Sequence, residues 1–496
     1  MQASRICLLA GGVALAASAS IVQADVLQPD PAWQQGKLDN GFKWQILSTP
    51  QRPSDRIELR LIVNTGSLVE NTQQTGYSHL LSRMALVHNT ALNPGQQRAL
   101  WQQGMDPDHA LAPAITSYDF TQYNLSLPNN RPELLKEALS WLAATASNMN
   151  ISEEVIKSAL GAGDPIATWP ANPQDPWWRY RLKGSVLLGH DPAARTSTPV
   201  DIAQLKSFYQ QWYTPDAMTL FVVGNVEGRN LSGQIGKAFS SLTGKRQMPS
   251  PVPTLSPLPH QPVTLVKKNL NHDRLSLMWD TPWQPIRDEQ NMQHYWLSDL
   301  AREALFWHVQ RALSESKAES VQVGFDCRVL YQRAQCAINM DSDNATLNKN
   351  FELIANELAK IRDDGLPQEE FDALMAQKTT ELNKLFATYA RTDTSVLISQ
   401  RLRSQQNSVV DIAPEQYQKL RQDFLSGLTL TMMNQELRQQ LSQDLTLVLM
   451  QPEGEAEVNM NALQDSWQKI MTPTVKNASA SDDAKSEVSD IPKTSQ

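Results

Sequence analysis

The sequence predicts an α+β protein built from two similar halves. Three observations lead there. The same order of strands and helices reads twice along the 496 residues, a proline-dense run separates the two readings, and 41% hydrophobic with 19% charged residues is the composition of a chain that buries large cores. The net charge is −8 and no run of Lys or Arg is dense enough to track a phosphate backbone, so nucleic acid is not an expected partner.

The chain begins with a short positive segment at Arg5, an uncharged and mostly apolar stretch from Ile6 to Val22, and the small-residue site Val22-Gln23-Ala24. This reads as a secretory signal peptide over residues 1–24, cleaved after Ala24. Its short, Ala-rich character points to a bacterial periplasm. No other segment approaches 18 apolar residues, so no membrane span is expected after cleavage.

The first half, residues 25–246, carries strand patterns in FKWQIL and RIELRLIVNTGS, helical period in GYSHLLSRMALVH, a strand in TQYNLSLP, an amphipathic helix in RPELLKEALSWLAATASN and an apolar strand in MTLFVVGNV. Residues 247–262 form the boundary. Six prolines between Met248 and Pro262 cannot enter a ladder or a helix interior, and predict an extended, semi-rigid connector. The second half, residues 263–471, repeats the order. RLSLMWDTP is a strand and HYWLSDLAREALFWHVQRALSES a long helix. A hairpin follows, then the helices of LNKNFELIANELAKIRDDG and PQEEFDALMAQKTTELNKLF. Residues 472–496 are rich in Ser, Ala, Asp and Lys without periodicity, and read as a disordered tail.

Once the leader is removed, two cysteines remain. In VGFDCRVLYQRAQCAINM two β-prone runs flank a polar tip at Tyr331 to Arg333. A turn centred between Tyr331 and Gln332 sets Cys327 opposite Cys336, and an oxidising compartment then favours a disulfide. A slip of one residue would separate them and leave two free thiols.

LDNGFKWQIL, NTGSLVENTQQTGYSHLLSR, LKSFYQQWYTPDAMTLFVVGNV and, in the second half, ELAKIRDDGLPQEEFDALMAQKTTEL resemble the M16 (pitrilysin, insulinase and processing-peptidase) zinc metallopeptidases. The resemblance spans nearly the whole chain after the leader, and is to a periplasmic enterobacterial member with a degenerate metal motif. It implies two homologous M16-type (LuxS/metallohydrolase-like) α+β domains enclosing a chamber for unfolded peptides. It also implies a zinc endopeptidase whose H-x-x-E-H helix supplies two ligands and a general base.

Here those five positions read His79, Leu80, Leu81, Ser82 and Arg83. Arg83 has no lone pair for a metal, and at 4 Å and an effective dielectric of 20 its charge would repel a divalent ion by about 8 kcal/mol. Ser82 stays protonated at neutral pH and cannot serve as the glutamate's replacement. The family's third ligand, a glutamate, should fall after Glu153-Glu154. There Gly161, Gly163 and Pro165 break the helix and Asp164 is the nearest carboxylate. The expectation is a vestigial site without catalytic residues or zinc. The alternative is a zinc enzyme with the non-standard ligands His79 and Asp164.

The remaining histidines offer no rescue. His88 is nine residues from His79 on the expected helix, and no other histidine has a second one three to five residues away. A Ser82 and His79 hydrolytic dyad lacks both a nucleophile elbow and an orienting acid. Trp169, Trp177, Trp178, Tyr180, Trp212 and Tyr213 either line a peptide chamber or fill core. The expected partners are extended or unfolded peptides, or a second M16-type subunit. Inactive subunits of the family carry a glycine-rich loop, which the second-half stretch REALFWHVQRALSE lacks.

Overall fold

The computed structural model describes residues 25–318 and 321–473. The expected leader, and the expected tail beyond Pro473, lie outside the described residues.

The first half holds seven strands: β1 (Trp33–Lys37), β2 (Lys43–Ser48), β3 (Ile57–Val63), β4 (Ala114–Ser117), β5 (Thr121–Leu127), β6 (Ala167–Trp169) and β7 (Met218–Gly224). They form one sheet in the order β1-β2-β7-β3-β5-β4-β6. The second half holds β8 (Val263–Val266), β9 (Asp273–Pro282), β10 (Val321–Leu330), β11 (Arg333–Ser342) and β12 (Thr446–Gln451), ordered β10-β11-β9-β12-β8. Each sheet lays one face against helices of its own half. In the first, the helices Tyr77–Val87, Pro132–Ser147, Ile202–Trp212 and Gly228–Phe239 cover Leu59, Leu61, Leu220 and Val222. In the second, the long helix Glu289–Glu315 and the helix Leu347–Asp364 cover Leu275, Leu277 and Ile338.

The apolar run in β7 has a specific cause. Side chains alternate along a strand, so Leu220 and Val222 enter the first core while Phe221 and Val223 face the other way. That second face is covered by Leu397 and Ile398 of the helix Thr394–Gln406, which comes from the second half. Burial on both faces selects a continuous apolar strand over an alternating one. The exchange is reciprocal: Leu27 lies in the second core, its N–H bonded to the Arg287 carbonyl at 3.0 Å. Arg52 is buried with its guanidinium on the carbonyls of Tyr389 and Thr392.

Of two local features, one needs correction. Residues 247–262 contain neither helix nor strand, and the run packs against both halves. Leu255 and Leu258 are both buried, Leu255 beside Trp178 and Leu258 beside Met278 and Val448. The hairpin tip is not the polar tip expected. Tyr331 and Gln332 take the positive φ values of 45° and 65° that a tight hairpin turn demands, and the turn delivers Tyr331 into the first half, where it is buried. Its ring meets Tyr118, Trp169 and Trp178, and its hydroxyl lies 3.0 Å from Ser117 Oγ.

Candidate functional site

The site is organised by the segment leading into the helix Tyr77–Val87. Gly66 passes so close to β4 that a Cβ there would sit 2.2 Å from the Ser117 carbonyl, so no other residue fits without a backbone shift. The chain then turns at Gly76, with φ 82°, in the left-handed region. Neither Gly76 nor Tyr77 offers a capping side chain, and Glu70 fills that need. Its carboxylate accepts the N–H groups of Gly76 at 2.8 Å and Ser78 at 2.7 Å. Burial pushes the Glu70 carboxyl up to about 7 even though both backbone bonds favour the charged form. The glutamate of the lead-in is thus a helix cap.

His79, Ser82 and Arg83 are all buried on this helix. Ser82 Oγ donates to the Ser78 carbonyl one turn back at 3.1 Å, which removes it from any dyad with His79. Arg83 reaches the end of the neighbouring helix Glu153–Gly161. Its guanidinium donates to the carbonyls of Ala162 at 2.8 Å and Leu160 at 3.4 Å, groups left without helical partners where Gly161 ends the helix. A cation there also faces the negative end of the helix dipole. Arg83 therefore caps a helix where an H-x-x-E-H motif would place its second histidine ligand.

The same break in the helix positions Asp164. Its Oδ2 lies 2.9 Å from His79 Nε2 and 2.9 Å from the Arg195 guanidinium, and the Ile166 N–H donates to Oδ1 at 3.3 Å. Burial raises the Asp164 carboxyl, but the bond and charge of His79, the Ile166 N–H and the charge of Arg83 outweigh it, and the group sits below the usual aspartate range. His79 Nδ1 lies 3.4 Å from Thr116 Oγ1 on β4. The structure thus brings His79, Ser82, Arg83 and Asp164 into one corner, and adds Thr116 and Arg195, which sequence reasoning missed. Arg195 sits in an irregular loop with no local pattern to single it out.

Zinc does not suit this donor set. His79 and Asp164 are two candidate ligands where a catalytic site uses three, and Asp164 is already engaged by a guanidinium. Among the described residues no group of three His, Cys, Asp or Glu side chains could hold a metal ion. His88 is not on the helix with His79 but follows it as an extended capping residue.

The aromatic residues divide. Trp212 and Tyr213 fill the first core, and Trp178 and Trp169 receive Tyr331 at the boundary. Trp177 stacks on Tyr180 and flanks the patch formed by Leu258 and Met278. Between the halves lies a cleft of about 280 Å³, lined by Trp177, Trp178, Arg274, Arg328 and Asn339 among others. Cys327 and Cys336 are disulfide-bonded, paired directly across the β10–β11 ladder.

Paired sheet-and-helix halves, with a glutamate-capped helix bearing a histidine at the first position of an H-x-x-E-H frame, define a metallopeptidase scaffold of the M16 type. Residues 45–163 match the insulinase (peptidase family M16) domain model, and residues 199–378 match the peptidase M16 inactive domain model. The chain belongs to the M16 peptidase family. It is 61% identical to Protein YhjJ of Escherichia coli (strain K12), over 99% of both chains. It is 26% identical to the probable zinc protease PqqL of the same organism, over 82% of this chain and 45% of that one. Among solved structures, a predicted insulinase family protease from Yersinia pestis is 62% identical, with a TM-score of 0.89 over 94% of this chain and 100% of that one. The first half of the periplasmic protease PqqL from Escherichia coli shares the fold, at 21% identity and a TM-score of 0.77 over 91% of this chain and 99% of that one. No described helix is long and apolar enough to cross a membrane.

Proposed function

We propose that this M16-family protein is a non-catalytic, peptidase-like chain of the periplasm. It holds extended peptides, or a partner protein such as a second M16-type subunit, at the cleft between its halves. One observation carries the reading: Arg83, at the position of a metal-ligating histidine, is bonded to the carbonyls of Leu160 and Ala162. Removing it from that role would cost the Glu153–Gly161 helix its cap. The aromatic and basic lining of the cleft supports peptide binding, since stacking surfaces and arginines grip extended chains without strict sequence demand.

A second reading, a zinc endopeptidase with unusual ligands, is favoured by the 2.9 Å approach of Asp164 to His79. Native mass spectrometry in the presence of zinc separates the two. The proposal expects no tightly held zinc and no chelator-sensitive cleavage of a peptide library. One zinc per chain, lost on His79→Ala together with cleavage, sinks it. Restoration is a further test. Ser82→Glu with Arg83→His returns H-x-x-E-H to one helical face, and adding Asp164→Glu supplies a longer third ligand. Zinc affinity should rise from wild type to double to triple variant. Equal affinity in all three would show that this helix is not the vestigial metal site.

A further inference from the structure

The helix side of the second sheet holds a cavity of about 260 Å³, between β9, β10 and β11 and the long helix Glu289–Glu315. Trp279, Trp283, Tyr295 and Phe325 provide apolar walls, and the Cys327–Cys336 disulfide closes one side. Its charged lining has one sign: Arg302 and Arg328 contribute, and no aspartate or glutamate does.

One guanidinium at this cavity is only loosely paired. Arg302 is four-fifths buried, yet its nearest carboxylate is Asp299 at 3.7 Å, and its Nε is buried without a hydrogen-bond partner. A guanidinium that is four-fifths buried and meets a carboxylate only at 3.7 Å keeps donor capacity for a carboxylate brought by a ligand.

We infer that this cavity binds a carboxylate carried a few bonds from an aromatic or branched apolar group, with the carboxylate on Arg302 and the apolar group between Trp279 and Phe325. The volume corresponds to roughly nine waters at about 30 Å³ each, which suits a ligand on the order of ten heavy atoms. Two sources carry this chemistry, a free aromatic acid and the C-terminal residue of a peptide. The site lies wholly in the second half, and nothing in it depends on the state of the His79 corner.

Calorimetric titration of the full chain tests the inference with four probes. These are 3-phenylpropionate, its amide, a decapeptide ending in phenylalanine, and the same peptide with a C-terminal amide. At least one of the two acids should bind saturably, and about tenfold or more tighter than its amide, because a charge-assisted bond is lost in the amide. Binding of the peptide acid alone identifies a peptide terminus as the source, and binding of the small acid identifies a free acid. Arg302→Met should weaken acid binding about tenfold, with Arg302→Lys intermediate, while melting temperature and amide binding stay put. Acid and amide binding equally, unchanged acid affinity in Arg302→Met, or no saturable binding of any probe would each overturn the inference.

Discussion

Asp164 and Asp280 are both carboxylates held by two basic side chains, and they do different things. Asp164 is gripped by His79 and Arg195 of its own half, and the Arg195 side chain is 64% exposed. Asp280 accepts from Arg181 of the first half, from Arg333 beside the hairpin tip and from the Leu258 N–H in the proline-rich run. Its side chain and that of Arg181 are each only 4% exposed. The first cluster fills a corner of one half and is open to water on one side. The second ties three separate stretches of chain together in a dry place. The comparison teaches that a buried charge is worth what its loss would leave behind: one exposed arginine at Asp164, two confined ones at Asp280.

The largest expected effect follows directly. Asp280→Ala leaves Arg181 and Arg333 buried near each other without a counter-ion and should cost about 3–5 kcal/mol of unfolding free energy. Asp164→Ala should cost roughly 1 kcal/mol. Urea unfolding of the two variants checks the contrast, and equal losses would break it. Next, Cys327→Ser with Cys336→Ser releases a short closed loop and should cost about 2–3 kcal/mol, the same loss that reductant causes in the wild type. Smaller still is Tyr331→Phe, which keeps the ring among Tyr118, Trp169 and Trp178 but drops the hydroxyl contact with Ser117, for about 1 kcal/mol in thermal unfolding.

The smallest effect is a pH slope. Because the folded structure holds the Asp164 carboxyl below its ordinary value of 3.8, its contribution is present above that pH and is lost as pH falls through the lower folded value. Asp164→Asn should flatten the acid limb of a stability–pH curve by less than about 1 kcal/mol, and from pH 5 upward should leave the slope unchanged with the curve lower by that same amount. Glu70 acts in the opposite direction. With its carboxyl raised to about 7, its contribution is present below 4.5 and lost as pH rises through 7, so a curve of Glu70→Gln should lose that descent.

Much of this was legible in the chain because it is local. The period of GYSHLLSRMALVH gives the helix Tyr77–Val87, and the turn at Tyr331-Gln332 sets the cysteine register. The five residues from His79 to Arg83 name the altered motif. What was hidden depends on chain that is distant in sequence. Arg195, the second basic partner of Asp164, arrives from a loop without periodicity. Arg83 reads as a missing ligand in one dimension and is a cap in three. The tip at Tyr331 looked polar because hydropathy cannot tell an aromatic exposed at a turn from one inserted into the other half.

The helix Thr394–Gln406 and the strand face it covers carry a consequence for how the protein is made. Arg52 finds its carbonyl partner at Thr392, 340 positions further along the chain. At about 5–20 residues per second of synthesis that separation amounts to tens of seconds. Through that interval Phe221 and Val223, once made, have no helix over them, although the rest of their sheet can already form. A nascent chain of this protein therefore passes through a stage with one finished core and one bare apolar sheet surface, the state in which two copies are most apt to stick to each other.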